Sequence, residues 1–181
     1  MLPNLHARTQ AFFDHWRGLP RQNGGLAPLC DDFLDRAPVQ FMPSVFIHEI
    51  VNDRLLVRFM GTELVDRWRH DATGQEFGAR LPPEERARLA KVSSILTSHP
   101  CGLLQRGVLG TSTGRDAAFE GILLPLAVNH DAPPRIVVFS TILDSLGREE
   151  HGSALASAGQ RWWIDIGAGV PALPPPAQPR P

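Results

Sequence analysis

Lysine is nearly missing from this chain: Lys91 is the only one, and arginine carries the positive charge. Acids and bases almost balance, at a formal net charge of −1, which removes the electrostatic case for a nucleic-acid or anionic-membrane partner. Cysteine stops at two, Cys30 and Cys101, in unlike contexts, so free thiols in a reducing cytoplasm are expected rather than a disulfide framework. No apolar run approaches the ~20 residues that span a bilayer, and the N-terminus has no signal-peptide core. The expected location is therefore the cytoplasm. The seven histidines never pair at i, i+3 or i+4 on one helix. With HExxH, CxxC and CxxCH also missing, zinc and covalent haem have no support. Non-covalent haem needs one axial histidine and stays open, so the cofactor is unknown at this stage. Of the serines only Ser112, in Gly110-Thr111-Ser112-Thr113-Gly114, has glycines at GxSxG spacing, and it lies in a run that reads as a loop rather than a strand-to-helix elbow. The glycine-rich run Gly107–Gly114 lacks the lysine of a phosphate loop and reads as a plain loop. Asp31-Asp32 and Glu149-Glu150 are sequence neighbours whose side chains point apart, which suits solvated faces better than a catalytic dyad.

What is present is a pattern of elements. At 181 residues the chain suits one domain that buries about 70% of its unfolded surface. Leu5 to Arg17 reads as a helix with Leu5, Phe12, Phe13 and Trp16 near helical spacing; Pro20 and Gly24-Gly25 end it. Leu29 to Leu34 is a short helical turn. Ser44 to Val51 alternates as a strand, with Val45 and Ile47 on one face and Phe46, His48 and Ile50 on the other. Asn52-Asp53 makes a two-residue hairpin into the strand Arg54–Met60. Gly61 is expected to turn the corner with a positive φ, and Thr62 to cap a short helix that buries Leu64, Val65 and Trp68. Asp71–Gly74 is a turn and Phe77 a second anchor. Pro82-Pro83-Glu84-Glu85 opens a long helix with Leu89, Val92 and Leu96 on its buried stripe. Strands follow at Cys101–Leu109, Ala118–Val128 and Arg135–Leu143. Pro125 conflicts with a central ladder and requires a bulge or an overhang. Arg161 to Ile166 is a last short strand or a flap, and the proline-rich residues from Gly167 carry no periodicity.

In this order Arg58, Gly61-Thr62, Val65, Thr73-Gly74, the helix ending in Trp16-Arg17, and Leu123-Leu124-Pro125-Leu126 resemble PAS domains. They are most similar to a family of short stand-alone alphaproteobacterial PAS-like proteins. The acidic residue that this family carries before a loop proline is replaced here by Ala27 of Ala27-Pro28. The resemblance implies an α+β fold: a five-stranded antiparallel sheet with helices on one face and an N-terminal flanking helix. Residues 1–22 would be that helix and its loop, 23–146 the domain, and 147–181 an extension that is disordered from about 167.

It also implies a pocket between sheet and helices, which PAS domains either fill with side chains or use for a small ligand. Phe46, His48, Arg58, Leu64, Val65, Trp68, Phe77 and Gln105 are the candidate lining, and an inward arginine would select an anion through bidentate hydrogen bonds. Phe12, Phe13 and Trp16 are candidates for a homodimer contact, the alternative being a helix docked on its own domain. With no room for an effector domain after residue 144, output is expected through a partner protein. A second reading is a small cavity enzyme using His48 as base beside an Asp or Glu. A third is a redox sensor through Cys30 or Cys101.

Overall fold

Successive residues of a strand face opposite ways, and in this chain both faces are apolar. The sheet therefore has to be covered twice. In a computed structural model that describes residues 2–79, 82–110, 116–129, 132–145, 157–172 and 175, a six-stranded antiparallel sheet lies between two helical layers. The elements are α1 (Ala7–Gly18), α2 (Cys30–Asp35), β1 (Val45–Val51), β2 (Arg54–Met60), α3 (Thr62–Trp68), α4 (Pro83–Ser98), β3 (Cys101–Gly110), β4 (Asp116–Leu126), β5 (Arg135–Ser145) and β6 (Ser157–Asp165). Across the sheet the strands run β2-β1-β5-β4-β3-β6.

The expectation of five strands is corrected by β6, which adds to the free edge of β3 over the register Cys101↔Asp165 to Val108↔Ser157. Its alternation explains why it stays there: Trp162 and Ile164 pack on one face of the sheet, Trp163 on the other. Helices on one face alone is corrected as well. Val45, Ile47, Leu104, Ile122, Leu124, Val137 and Phe139 form one core with α1 and α2. Phe46, Leu103, Ile136 and Val138 form the other, with Leu64 of α3 and Val92 and Leu96 of α4.

The side chains offered for dimerisation belong to the first of these cores. Phe12 and Trp16 are at most 1% exposed and Phe13 is 7% exposed. The Phe12 ring stacks on Phe139 at 4.7 Å and meets Phe41 and Phe33 edge-on. The Trp16 indole N–H donates to the Pro125 carbonyl at 3.2 Å. These residues dock α1 on its own sheet, and the dimer contact drawn through them is corrected on that ground. A buried carboxylate pins the same layer: Glu120 accepts a hydrogen bond from the His6 backbone N–H at 2.9 Å and pairs with Arg106, whose Nε donates at 2.7 Å.

Local chemistry departs from expectation at the β2–α3 corner. Gly61 has φ −68°, not a positive value, and serves as the N-cap itself, while Thr62 is already helical. Glycine is required there for space: a Cβ would lie 2.2 Å from the Met42 carbonyl oxygen and 2.3 Å from that of Pro43. The hairpin at Asn52-Asp53 does use the left-handed region, at φ 49° and 59°, as a two-residue primed turn demands. Gly107–Gly110 is strand rather than loop, and residues 111–115 lie outside the described set. Pro125 is tolerated by overhang. The β3–β4 ladder begins at Leu103↔Leu123, so Leu124 to Leu126 pair only with β5.

Candidate functional site

Between the sheet and the α3/α4 layer lies a cavity of about 100 Å³. Its floor follows from strand register. One row of residues, Trp163, Leu103, Leu123, Val138 and Phe46, runs across β6, β3, β4, β5 and β1 and is apolar throughout. The next row on the same face is different: Arg161, Gln105, Gly121 and Ser140 are paired in sequence across β6, β3, β4 and β5. Gly121 leaves the space that Gln105 occupies, since a Cβ there would stand 3.2 Å from Gln105 Nε2. The roof is α3 and α4, from which Leu64, Arg67, Trp68, Leu89, Val92 and Ser93 reach the cavity.

Six of the expected lining residues meet here: Phe46, His48, Leu64, Trp68, Phe77 and Gln105. The rings of Phe46, Trp68 and Phe77 lie 5.0–5.8 Å from one another, a half-cage closed on one side by His48, 4.6 Å from Phe77. Val65 packs partly buried against the same apolar layer but does not line the cavity.

Arg58 is not in the cavity, and its assignment is corrected. Leu55 and Val57 take the cavity side of β2, so alternation sends Arg58 to the opposite face. There it bonds one oxygen of Glu49 through Nε at 3.0 Å, while Arg135 holds the other oxygen through Nε and Nη2 at 3.1 and 2.9 Å. The hydrogen bonds from Arg58 and then Arg135 hold the Glu49 carboxyl below the usual range against its own burial. Glu49 is 3% exposed, and this is a buried charge compensated on both oxygens.

His48 is the most unusual group in the site. It is 4% exposed, its Nε2 has no hydrogen-bond partner, and burial pushes its pKa down to about 4, so the ring is neutral at physiological pH. Among the described residues no Asp or Glu lines the cavity, which leaves a histidine base there without the carboxylate that would orient it. The cations that do line it were missed by the sequence reading. Arg67 follows Leu64 by three positions on α3 and so shares its face, and its Nη1 donates to Ser140 Oγ at 3.1 Å. Burial lowers its pKa, Glu63 opposes that and Arg8 adds to it. Arg161 alternates with Trp162, a signal that was readable once the segment was taken as strand. Burial, then neighbouring Arg88, brings its pKa down to about 10, still far above neutrality.

The thiols lie elsewhere and are closed to solvent. Cys101 is fully buried and burial raises its pKa to about 11; Cys30 is 2% exposed and accepts from Arg135 Nη1 at 3.4 Å. Both lack the exposure a redox sensor needs. Among the described residues no cluster of histidine, cysteine, aspartate and glutamate could hold a metal ion, and no helix is long and apolar enough to cross a membrane.

A family model described as PAS domain matches residues 4–139, well over half of the chain, a span that holds β1 to β4 and the start of β5. The chain belongs to the PAS domain family. Comparisons with curated proteins and with solved structures give no match. Membership marks the chain as a sensory or interaction module of signalling. Within this PAS domain the matched span takes in α1 and the cavity floor on β1, β3 and β4 and as far as Val138 on β5; Ser140 and β6, with Arg161, lie beyond it.

Proposed function

We propose that this PAS domain senses a small molecule held in the cavity under α3 and α4 and passes that state to a partner protein. The observation that carries the reading is His48. A buried polar atom without a partner costs roughly 1–3 kcal/mol, and such atoms call for an explanation. A ligand polar group at Nε2 supplies one. The half-cage of Phe46, Trp68 and Phe77 gives the same ligand an apolar surface. Output through a partner, or through a second copy of the chain, uses surfaces other than Phe12, Phe13 and Trp16, which are internal. The reading places the protein in the cytoplasm, where its two unpaired thiols stay reduced.

Non-denaturing mass spectrometry of the purified chain, repeated after denaturation, tests the ligand. A mass excess released on unfolding is expected, and it should be lost in Ser140→Leu, which fills the floor. No released mass, together with a wild-type melting temperature that no compound in a small-molecule panel raises above that of Ser140→Leu, overturns the reading. For the transmission step, partner recovery in affinity capture should differ between wild type and Ser140→Leu; equal recovery overturns it. The histidine-base enzyme finds no support in a cavity that no carboxylate lines among the described residues.

A further inference from the structure

The polar groups of the cavity are answered within the protein at one end and left open at the other. At the Ser140 end, Arg67 Nη1 donates to Ser140 Oγ at 3.1 Å, and Glu63 lies close enough to act on the same guanidinium. Gln105 fills the gap above Gly121, where a Cβ would stand 3.2 Å from its Nε2. Arg161 has a partner of its own. His48 is the exception. It pairs with Ile136, four residues along β5 from Ser140 and so roughly 13 Å away along the backbone. Its ring lies 4.6 Å from Phe77 and 5.4 Å from Phe46, and its buried Nε2 has no hydrogen-bond partner among the described residues. Apolar packing alone would be served better by phenylalanine or leucine here, because a buried nitrogen without a partner gives up its water for nothing in return. Burial pushes the pKa of His48 down to about 4, so the ring is uncharged at neutral pH.

We infer that the ligand is a small uncharged molecule with one hydrogen-bonding oxygen, a short-chain alcohol or ketone, bonded to His48 Nε2 with its carbon chain against Phe46, Trp68 and Phe77. This deepens the sensory reading and rests on the cavity being a ligand site. The partner on offer selects against charge. A neutral imidazole supplies no counter-charge, so a carboxylate or ammonium group placed beside it would lose its water at a cost that one hydrogen bond does not offset. An oxygen suits the imidazole, since a hydroxyl both donates and accepts and a carbonyl accepts from Nε2–H. The three aromatic rings give the carbon chain its apolar surface. Volume limits the length of that chain. An apolar cavity of ~150 Å³ accommodates benzene, so about 100 Å³ suits a molecule of roughly four to six non-hydrogen atoms.

The test is titration of the full chain with isobutanol and butanone, followed by NMR of the histidine ring nitrogens in isotope-labelled protein. Isobutyrate, isobutylamine and isopentane serve as charged and apolar analogues of similar size. At least one of the two oxygen compounds should bind saturably and move the His48 Nε2 resonance. It should also bind at least about five-fold more tightly than isopentane or either charged analogue. His48→Phe should abolish the preference over isopentane and leave the affinity for isopentane itself unchanged. If that variant fails to fold, the wild-type comparison and the Nε2 resonance still decide. A charged analogue that binds as tightly as isobutanol or butanone overturns the uncharged ligand, and isopentane that does so overturns the bond to His48; either result leaves the ligand site standing. Binding by none of these compounds overturns this inference alone if denaturation releases a mass, and the sensory reading with it if none is released.

Discussion

The docking of α1 gives the sharpest quantitative test. Phe12→Ala removes a fully buried ring that stacks on Phe139 and meets Phe33 and Phe41 edge-on. Loss of a buried phenylalanine costs about 3–5 kcal/mol in transfer and cavity terms together. Its three aromatic contacts, at roughly 0.5–1.5 kcal/mol each, place this site at the upper end of that range. For a chain of this size 1 kcal/mol moves the melting temperature by roughly 2–4 °C, so a fall of about 8–20 °C is expected. Urea unfolding followed by tryptophan fluorescence measures the free energy, and Trp16, one turn along on the same helix, reports the event directly. The loss should be independent of protein concentration, because the contact is made within one chain. A loss under about 1 kcal/mol, or one that disappears on dilution while size-exclusion chromatography shows a dimer turning into a monomer, would refute the docked helix. It would restore Phe12 to an intermolecular contact.

Three further outcomes follow from particular residues. Gly61→Ala drives a Cβ into the Met42 and Pro43 carbonyls and should cost roughly 3 kcal/mol or more, whereas Gly74→Ala, at φ +80° with open space around it, should cost about 1–2 kcal/mol; equal losses in urea unfolding would contradict the steric argument. His48 is neutral in the fold down to pH about 4, while in the unfolded chain it takes a proton near 6.5, so the unfolded state binds more protons between those values. Its contribution is therefore whole above pH 6.5 and is lost as the pH falls towards 4. That amounts to about 3 kcal/mol, and the wild-type slope should exceed that of His48→Phe over this window. Finally, an aromatic disulfide reagent should modify neither Cys30 nor Cys101 in the native protein and both in urea; rapid native reaction of either would show a solvent path that the burial of both denies.

Much of the architecture was legible because strands write their two faces into alternate positions. Val45 and Ile47 against Phe46 and His48 is a division the folded sheet keeps. The break between α1 and the sheet was marked by Pro20 and Gly24-Gly25, and that before β3 by Pro100. Arg58 was misread because an alternating strand names two faces without saying which one meets the cavity. That choice depends on Glu49 across the hairpin and on Arg135 from a strand 86 positions later. Gly61 was assigned a conformational reason, but the reason is the backbone of Met42 and Pro43 pressed against it.

The amino-acid sequence alone determined the element order, the PAS resemblance and most of the aromatic wall, because these depend on spacing within a few residues of the chain. Tertiary structure decided the second helical layer on α1 and the sixth strand. It also set the polar row that joins Ser140, Gly121, Gln105 and Arg161. Register between strands is settled by which side chains fill the space between sheet and helices, and no single strand carries that information by itself.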